Sequence, residues 1–161
     1  MKSIRNEIII RKASENDIDI LIDYRIIFLK EVQGTPSNEK EELLRQTLRK
    51  YFLKSLKNGS YVAWIAEYQN RPVGFSAMVI REQPGNFQIP NGLTGYVLNM
   101  FTHKDFRRQG IASALFQKLI EEAKILCLDR IDLLATVSGE CVYRQFGFKE
   151  PDDTALELTL N

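Results

Sequence analysis

The segment from Tyr96 to Lys124, YVLNMFTHKDFRRQGIASALFQKLIEEAK, leaves this chain few choices of fold. Tyr96 to Thr102 is a nearly unbroken run of apolar and β-prone residues, which predicts a strand covered on both faces. A helical spacing then takes over. Ile111, Leu115 and Leu119 form one stripe, with Ala112, Phe116 and Ile120 beside it. Arg107-Arg108-Gln109-Gly110-Ile111-Ala112 lies between the two, where the helix begins.

The first amides of a helix lack intrahelical partners, and the aligned peptide dipoles place roughly half a positive charge there. Gly110 lets a ligand approach the main chain, and Ala112 keeps the first turn small. Two arginines add fixed charge. This chemistry suits a phosphate or pyrophosphate. The three spaced glycines of a dinucleotide fingerprint are missing, and so is the Gly-Lys-Ser/Thr of a Walker loop.

The flanking elements predict an α/β chain with one mixed sheet, a single domain over residues 1–161. Glu7 to Arg11 is β-branched and reads as a first strand. Ser14 and Asp17 resemble a capping box ahead of Ile18, Leu21, Ile22, Arg25 and Leu29, an inward helical stripe. Gly34 to Asn38 breaks that helix. A second runs from about Glu39 to Leu56 and ends at Asn58-Gly59. Tyr61–Tyr68 and Val73–Arg81 form a hairpin about Gln69 to Pro72, and Glu82 to Leu93 is a loop. After the central helix come a strand at Arg130–Ala135, a helix from Glu140 to Phe146, a strand opening at Phe148-Lys149, and an alternating last strand at Leu156–Leu160.

Lys and Arg total 22 against 21 Asp and Glu, so no net field favours nucleic acid or a membrane surface. Met1 to Glu7 lacks the apolar core of a signal peptide. Cys127 and Cys141 are too few for a disulfide framework or a metal site. A cytoplasmic protein without metal is expected.

Arg107-x-x-Gly110-x-Ala112 after an apolar strand resembles motif A of the GNAT superfamily of acyl-CoA N-acyltransferases, and the order β-α-α-β-β-β-α-β-α-β-β resembles that fold from end to end. The segment Tyr143-Arg144-Gln145-Phe146-Gly147-Phe148 is similar to the Tyr-x-x-x-Gly-Phe segment of many such enzymes. The resemblance implies an N-acetyltransferase that uses acetyl-CoA. Arg107, Arg108, Gln109, Gly110, Ile111 and Ala112 would hold the pyrophosphate, with Phe101 and Thr102 lining the pantetheine arm. Thr136 stands where relatives carry Asn or Ser. The Met100 backbone N–H would stabilise the oxyanion, and Tyr143 would protonate the departing thiolate.

The same resemblance implies an amine acceptor on a small molecule or peptide, its pocket built by the first two helices and the Glu82–Leu93 loop, with Tyr24, Phe28 and Glu31 as walls. No base stands out: His103, Glu31, Glu67, Glu82 and a water relay are all open. Asn99 reads equally as a core amide or as a group facing the acceptor. A homodimer is compatible with the sequence, which does not specify oligomeric state. The competing function is a coenzyme A-binding sensor without turnover, which would not need Tyr143.

Overall fold

The computed structural model describes residues 7–160; the reading of the N-terminal segment before Glu7 lies outside them. Five strands lie side by side in chain order: β1 (Ile8–Lys12), β2 (Tyr61–Tyr68), β3 (Arg71–Glu82), β4 (Leu93–Thr102) and β5 (Arg130–Leu133). All neighbours are antiparallel except β4 and β5. Parallel neighbours need a crossover, and α3 (Ile111–Ile125) supplies it on one face of the sheet. The opposite face carries α1 (Ile18–Gln33) and α2 (Asn38–Lys57). No helix among the described residues is long and apolar enough to cross a membrane.

Local chemistry sets the start of α1. Ser14 and Asp17 form a capping box, the Ser14 N–H donating to Asp17 Oδ2 at 2.8 Å. Arg11 on β1 grips both Asp17 oxygens at 2.9 and 2.8 Å and Glu67 on β2 at 2.8 Å. The Arg11 hydrogen bonds hold the Asp17 carboxyl below the usual carboxylate range. One guanidinium thus ties the helix start to the edge of the sheet. Ile18, Leu21, Ile22 and Ile26 then bury the inner stripe of α1.

Phe52, Ile65, Phe75 and Phe101 fill the layer beneath α1 and α2, together with Leu21. On the other face Phe116 of α3 is fully buried. Its ring meets Tyr143, Phe146 and Phe148 at centroid distances of 5.3, 5.0 and 5.5 Å. That cluster seats the short helix α4 (Glu140–Gln145) against α3.

The two strands expected after α4 do not form. Phe148 anchors its ring on Phe116, but residues 148–160 pair with no strand, and Leu156, Leu158 and Leu160 are more than four-fifths exposed. Alternation gives a segment a face that fits a sheet, yet a strand exists only once a neighbour takes its backbone hydrogen bonds. β5, four residues long, ends two residues earlier than expected. The remaining elements agree with the sequence reading to within one to three residues at each end.

Removing the Phe116 ring empties the contact point of three aromatic side chains. Phe116→Ala is expected to cost about 3–5 kcal/mol in equilibrium denaturant unfolding. A loss below about 1 kcal/mol would show that α4 does not depend on this cluster.

Candidate active site

β4 and β5 pair only from Thr94↔Arg130 to Val97↔Leu133. Beyond Val97 the two strands part, and residues 98–102 of β4 have no neighbour on that side. Leu98 is skipped in the register with β3, where Asn99 faces Ala77 and Val97 faces Met78. This bulge bends the strand at the point of separation. The opening is a cleft of about 660 Å³. Its walls come from α1 (Phe28, Glu31), β4 (Leu98, Met100, Phe101, Thr102), the α3 entry (Arg107, Arg108, Gly110, Ile111, Ala112) and the β5–α4 region (Thr136, Tyr143).

Gly110 caps α3 with φ +78°, a left-handed conformation, and no side chain caps the helix. The N–H groups of Ile111, Ala112 and Ser113 therefore stand at the cleft without side-chain partners. A second orphan lies close by: Thr102 Oγ1 is buried and has no hydrogen-bond partner among the described residues. Bare amides, a partial positive charge and an unsatisfied hydroxyl on one wall fit a ligand with a diphosphate and an amide-bearing arm.

The two arginines divide. Arg107 sends Nη2 to both oxygens of Glu31 at 3.0 Å and Nε to the Thr102 carbonyl at 2.8 Å. Its charge is largely offset by a carboxylate from α1. Arg108 adopts φ +60°, is exposed, and makes no ion pair among the described residues. The sequence reading treated them as an equivalent pair, because nothing in the motif shows that Glu31, 76 positions earlier, folds back onto one of them. Gln109 does not line the cleft; its amide donates to the Asp105 carbonyl at 3.4 Å.

Tyr143 faces the cleft from α4 with its ring against Phe116. It is 9% exposed, and burial pushes its phenol up to about 12. Met100 lies opposite on β4. Thr136 accepts from the Gly139 N–H at 3.2 Å, so its hydroxyl both caps the approach to α4 and borders the cleft.

Several expected wall residues sit elsewhere. Tyr24 packs edge-on between Phe75 and Phe101, each at 5.4 Å, and donates to the Pro72 carbonyl. It belongs to the core. No residue of α2 or of the loop from 83 to 92 borders this cleft. The loop folds on itself instead, with Asn86 Oδ1 accepting from the Gln88 and Ile89 N–H groups at 2.9 Å. Asn99 resolves as a core amide, 1% exposed, donating to Tyr61 Oη at 3.3 Å and accepting from Arg25. Among the candidate bases, Glu67 is engaged by Arg11. His103 is exposed, pairs with Asp105 at 3.4 Å and does not line the cleft.

A second groove, of about 520 Å³, runs between α1 and α2. Its charges close on one another, Arg45 on Asp23 and Arg49 on Asp19.

The family model "Acetyltransferase (GNAT) domain" matches residues 59–150, more than half of the chain. A predicted acetyltransferase from Clostridium acetobutylicum, solved with acetyl-CoA, is 32% identical, with a TM-score of 0.86 over 94% of this chain and 96% of that one. A GCN5-related N-acetyltransferase from Ralstonia eutropha JMP134 is 21% identical, with a TM-score of 0.81 over 94% and 98%. An aminoglycoside acetyltransferase from an uncultured soil metagenomic sample, in complex with sisomicin, shares the fold at 18% identity and a TM-score of 0.70 over 98% and 99%. No curated protein matches the sequence significantly. The family match spans β2 through α4, the elements that carry most of the cleft, and the chain belongs to the GNAT acetyltransferase family.

Proposed function

We propose that this protein transfers an acetyl group from acetyl-CoA to the primary amine of a small molecule or peptide by direct attack. The observation that carries the reading is the meeting, in one cleft, of bare α3 amides, the unpaired edge of β4 and the Tyr143 hydroxyl. The amides of Ile111, Ala112 and Ser113 would hold the diphosphate, with Arg108 supplying the uncommitted charge. The orphaned Thr102 hydroxyl and Thr136 suit the amides of the pantetheine arm. Bound acetyl-CoA supplies an activated thioester, from which an unprotonated amine takes the acetyl group as the thiolate leaves.

Two groups of the chain then act on charge. Met100 lies two residues past the Leu98 bulge on the open stretch of β4, so its N–H is assigned to the developing carbonyl oxyanion. One such preorganised donor is typically worth about 100- to 1,000-fold in rate. Tyr143 is assigned to the sulfur as general acid. Its Oη has no hydrogen-bond partner among the described residues, and burial keeps it protonated. The same apolar surroundings penalise a thiolate and a phenolate alike, so the proton that Oη gives to sulfur is restored to Oη by the one the attacking nitrogen sheds as the amide forms.

Three sets of measurements test this reading. First, acetyl-CoA at about 100 times its Kd should stabilise the protein by about 2.7 kcal/mol, whereas ATP and NAD at equal concentration should not. Gly110→Ala places a Cβ at a left-handed position, a strain of roughly 1–2 kcal/mol, and should weaken acetyl-CoA binding at least tenfold by calorimetry; an unchanged Kd would remove the α3 entry from the site.

Second, Tyr143→Phe should lower kcat by about 100-fold or more with little change in acetyl-CoA affinity. Unchanged turnover would exclude Tyr143.

Third, the working form of Tyr143 is the protonated one, and its raised pKa preserves that form up to about pH 12. The amine must lose its proton, with a lysine-like pKa near ~10.4. The value of kcat/KM for the amine should therefore rise with pH and show no downturn below about pH 10. A fall centred between pH 8 and 9 would rule out this acid.

A further inference from the structure

Arg25 on α1 is half-buried and does not itself line the cleft, but it touches Leu98 and Phe28, which do. It sits on the inner stripe of α1, one turn before Phe28 and two before Glu31 and Val32, all of which line the opening. Its Nη1 donates to the Leu98 carbonyl at 3.2 Å and to Asn99 Oδ1. Its guanidinium carbon lies 6.0 Å from the centre of the Phe28 ring. The donors on Nε and Nη2 have no partner among the described residues.

No carboxylate among the described residues attends this charge. Each acidic side chain of α1 is claimed by another cation: Asp19 by Arg49, Asp23 by Arg45 and Glu31 by Arg107. Asp17, just before the helix, belongs to Arg11. The groups facing Arg25 from β2 and α2 are the tyrosines Tyr61 and Tyr51, and burial disfavours its charged form. A guanidinium withdrawn from water without an anion is an uncompensated cost. Holding the Leu98 carbonyl uses one nitrogen of three, so this structural duty leaves most of the fork unspent.

The position matters for the reaction. Leu98 is the bulged residue, and Met100, the proposed oxyanion donor, is two residues on. At about 3.3 Å of strand rise per residue, roughly 7 Å separates them. An α-amino acid with its carboxylate at a hydrogen-bond length of about 2.8 Å from Arg25 would place its nitrogen within that stretch, near the thioester carbonyl assigned to Met100. The planar fork of arginine, with Nε and Nη2 unengaged, can take a carboxylate through two parallel hydrogen bonds.

Resting on the acetyl-transfer reading above, we propose that the acceptor carries a carboxylate as well as its amine, that is, an amino acid or a small amino-carboxylic acid, and that Arg25 is the side chain that selects it. The bare guanidinium would equally repel polycationic amines at this end of the cleft.

Matched acceptors test the proposal. Each amino acid is compared with its own primary carboxamide, which keeps the side chain and removes the negative charge, and rates are taken per unprotonated amine because the amide also lowers the amine pKa. Thiol release should favour the carboxylate by at least about 30-fold in kcat/KM, the usual scale for truncating one partner of a desolvated charge pair. Arg25→Gln should bring that ratio to within about threefold of one, and Arg25→Lys should keep part of it. Calorimetry on the coenzyme A-loaded protein reads the same preference without turnover, and thermal melts of both variants verify folding.

A wild-type ratio near one, or an equal fall for both members of each pair in Arg25→Gln, overturns the proposal and makes Arg25 a prop for the Leu98 bulge. Turnover confined to uncharged or polycationic amines also overturns it while leaving the acetyl-transfer reading intact. Arg25-dependent binding of amino acids without any thiol release would support the anchor and sink the transferase reading.

Discussion

The separation of β4 from β5 is the constraint on which the rest of the molecule depends. Four paired residues hold the parallel strands together, and past Val97 and Leu133 nothing does. A sheet that stayed closed would consume the β4 backbone in ladder hydrogen bonds and fill the space above it with side chains. Parting at Val97 leaves the edge of residues 98–102 free, directly before the loop that starts α3. The bulge at Leu98 bends the strand at that point, and the crossover that parallel pairing requires places the α3 entry at the mouth of the same opening. The cleft follows from the topology, since the connection that makes β4 and β5 parallel neighbours also brings a helix N-terminus to their divergence.

Charge is distributed around that opening by partners remote in sequence. Of the arginines near the cleft, Arg107 is held by Glu31, Arg108 has no ion-pair partner among the described residues, and Arg25 is half-buried and donates there only to a carbonyl and an amide oxygen. The pairing of Glu31 with Arg107 also joins α1 to the α3 entry loop, so two walls of the cleft share one contact. Opposite them the aromatic cluster about Phe116 fixes Tyr143, whose burial sets its protonation state. Packing and electrostatics therefore act on the same few side chains.

Much of the fold was legible because its signals are local. The inner stripe of α1, the Ser14–Asp17 box, the apolar run into β4 and the glycine at the α3 start each report on neighbours within a few residues, where geometry is set by backbone sterics and short-range hydrogen bonds. The alternating segment at Leu156–Leu160 misled for the same reason. Its pattern describes a face suited to a sheet, but among the described residues no strand receives it and its leucines stay exposed. The loop from 83 to 92 misled differently, closing on Asn86 and Ile89 instead of reaching the cleft. Arg25 was visible as a charged residue on an apolar stripe, an irregularity whose meaning depended on what faced it.

The sequence by itself determined the helices and strands as far as α4, where a helix start lies bare beside a glycine, and which family motif the chain carries. Those properties are written in side-chain periodicity and in residues that set φ, and both act over one or two turns of chain. Only the tertiary structure decided that Asn99 is a core amide, that Arg107 is already paired, and that Arg25 has no counter-charge among the described residues. These facts concern contacts between residues dozens of positions apart, and an ion pair or its absence is fixed by distance in space, which spacing along the chain does not encode.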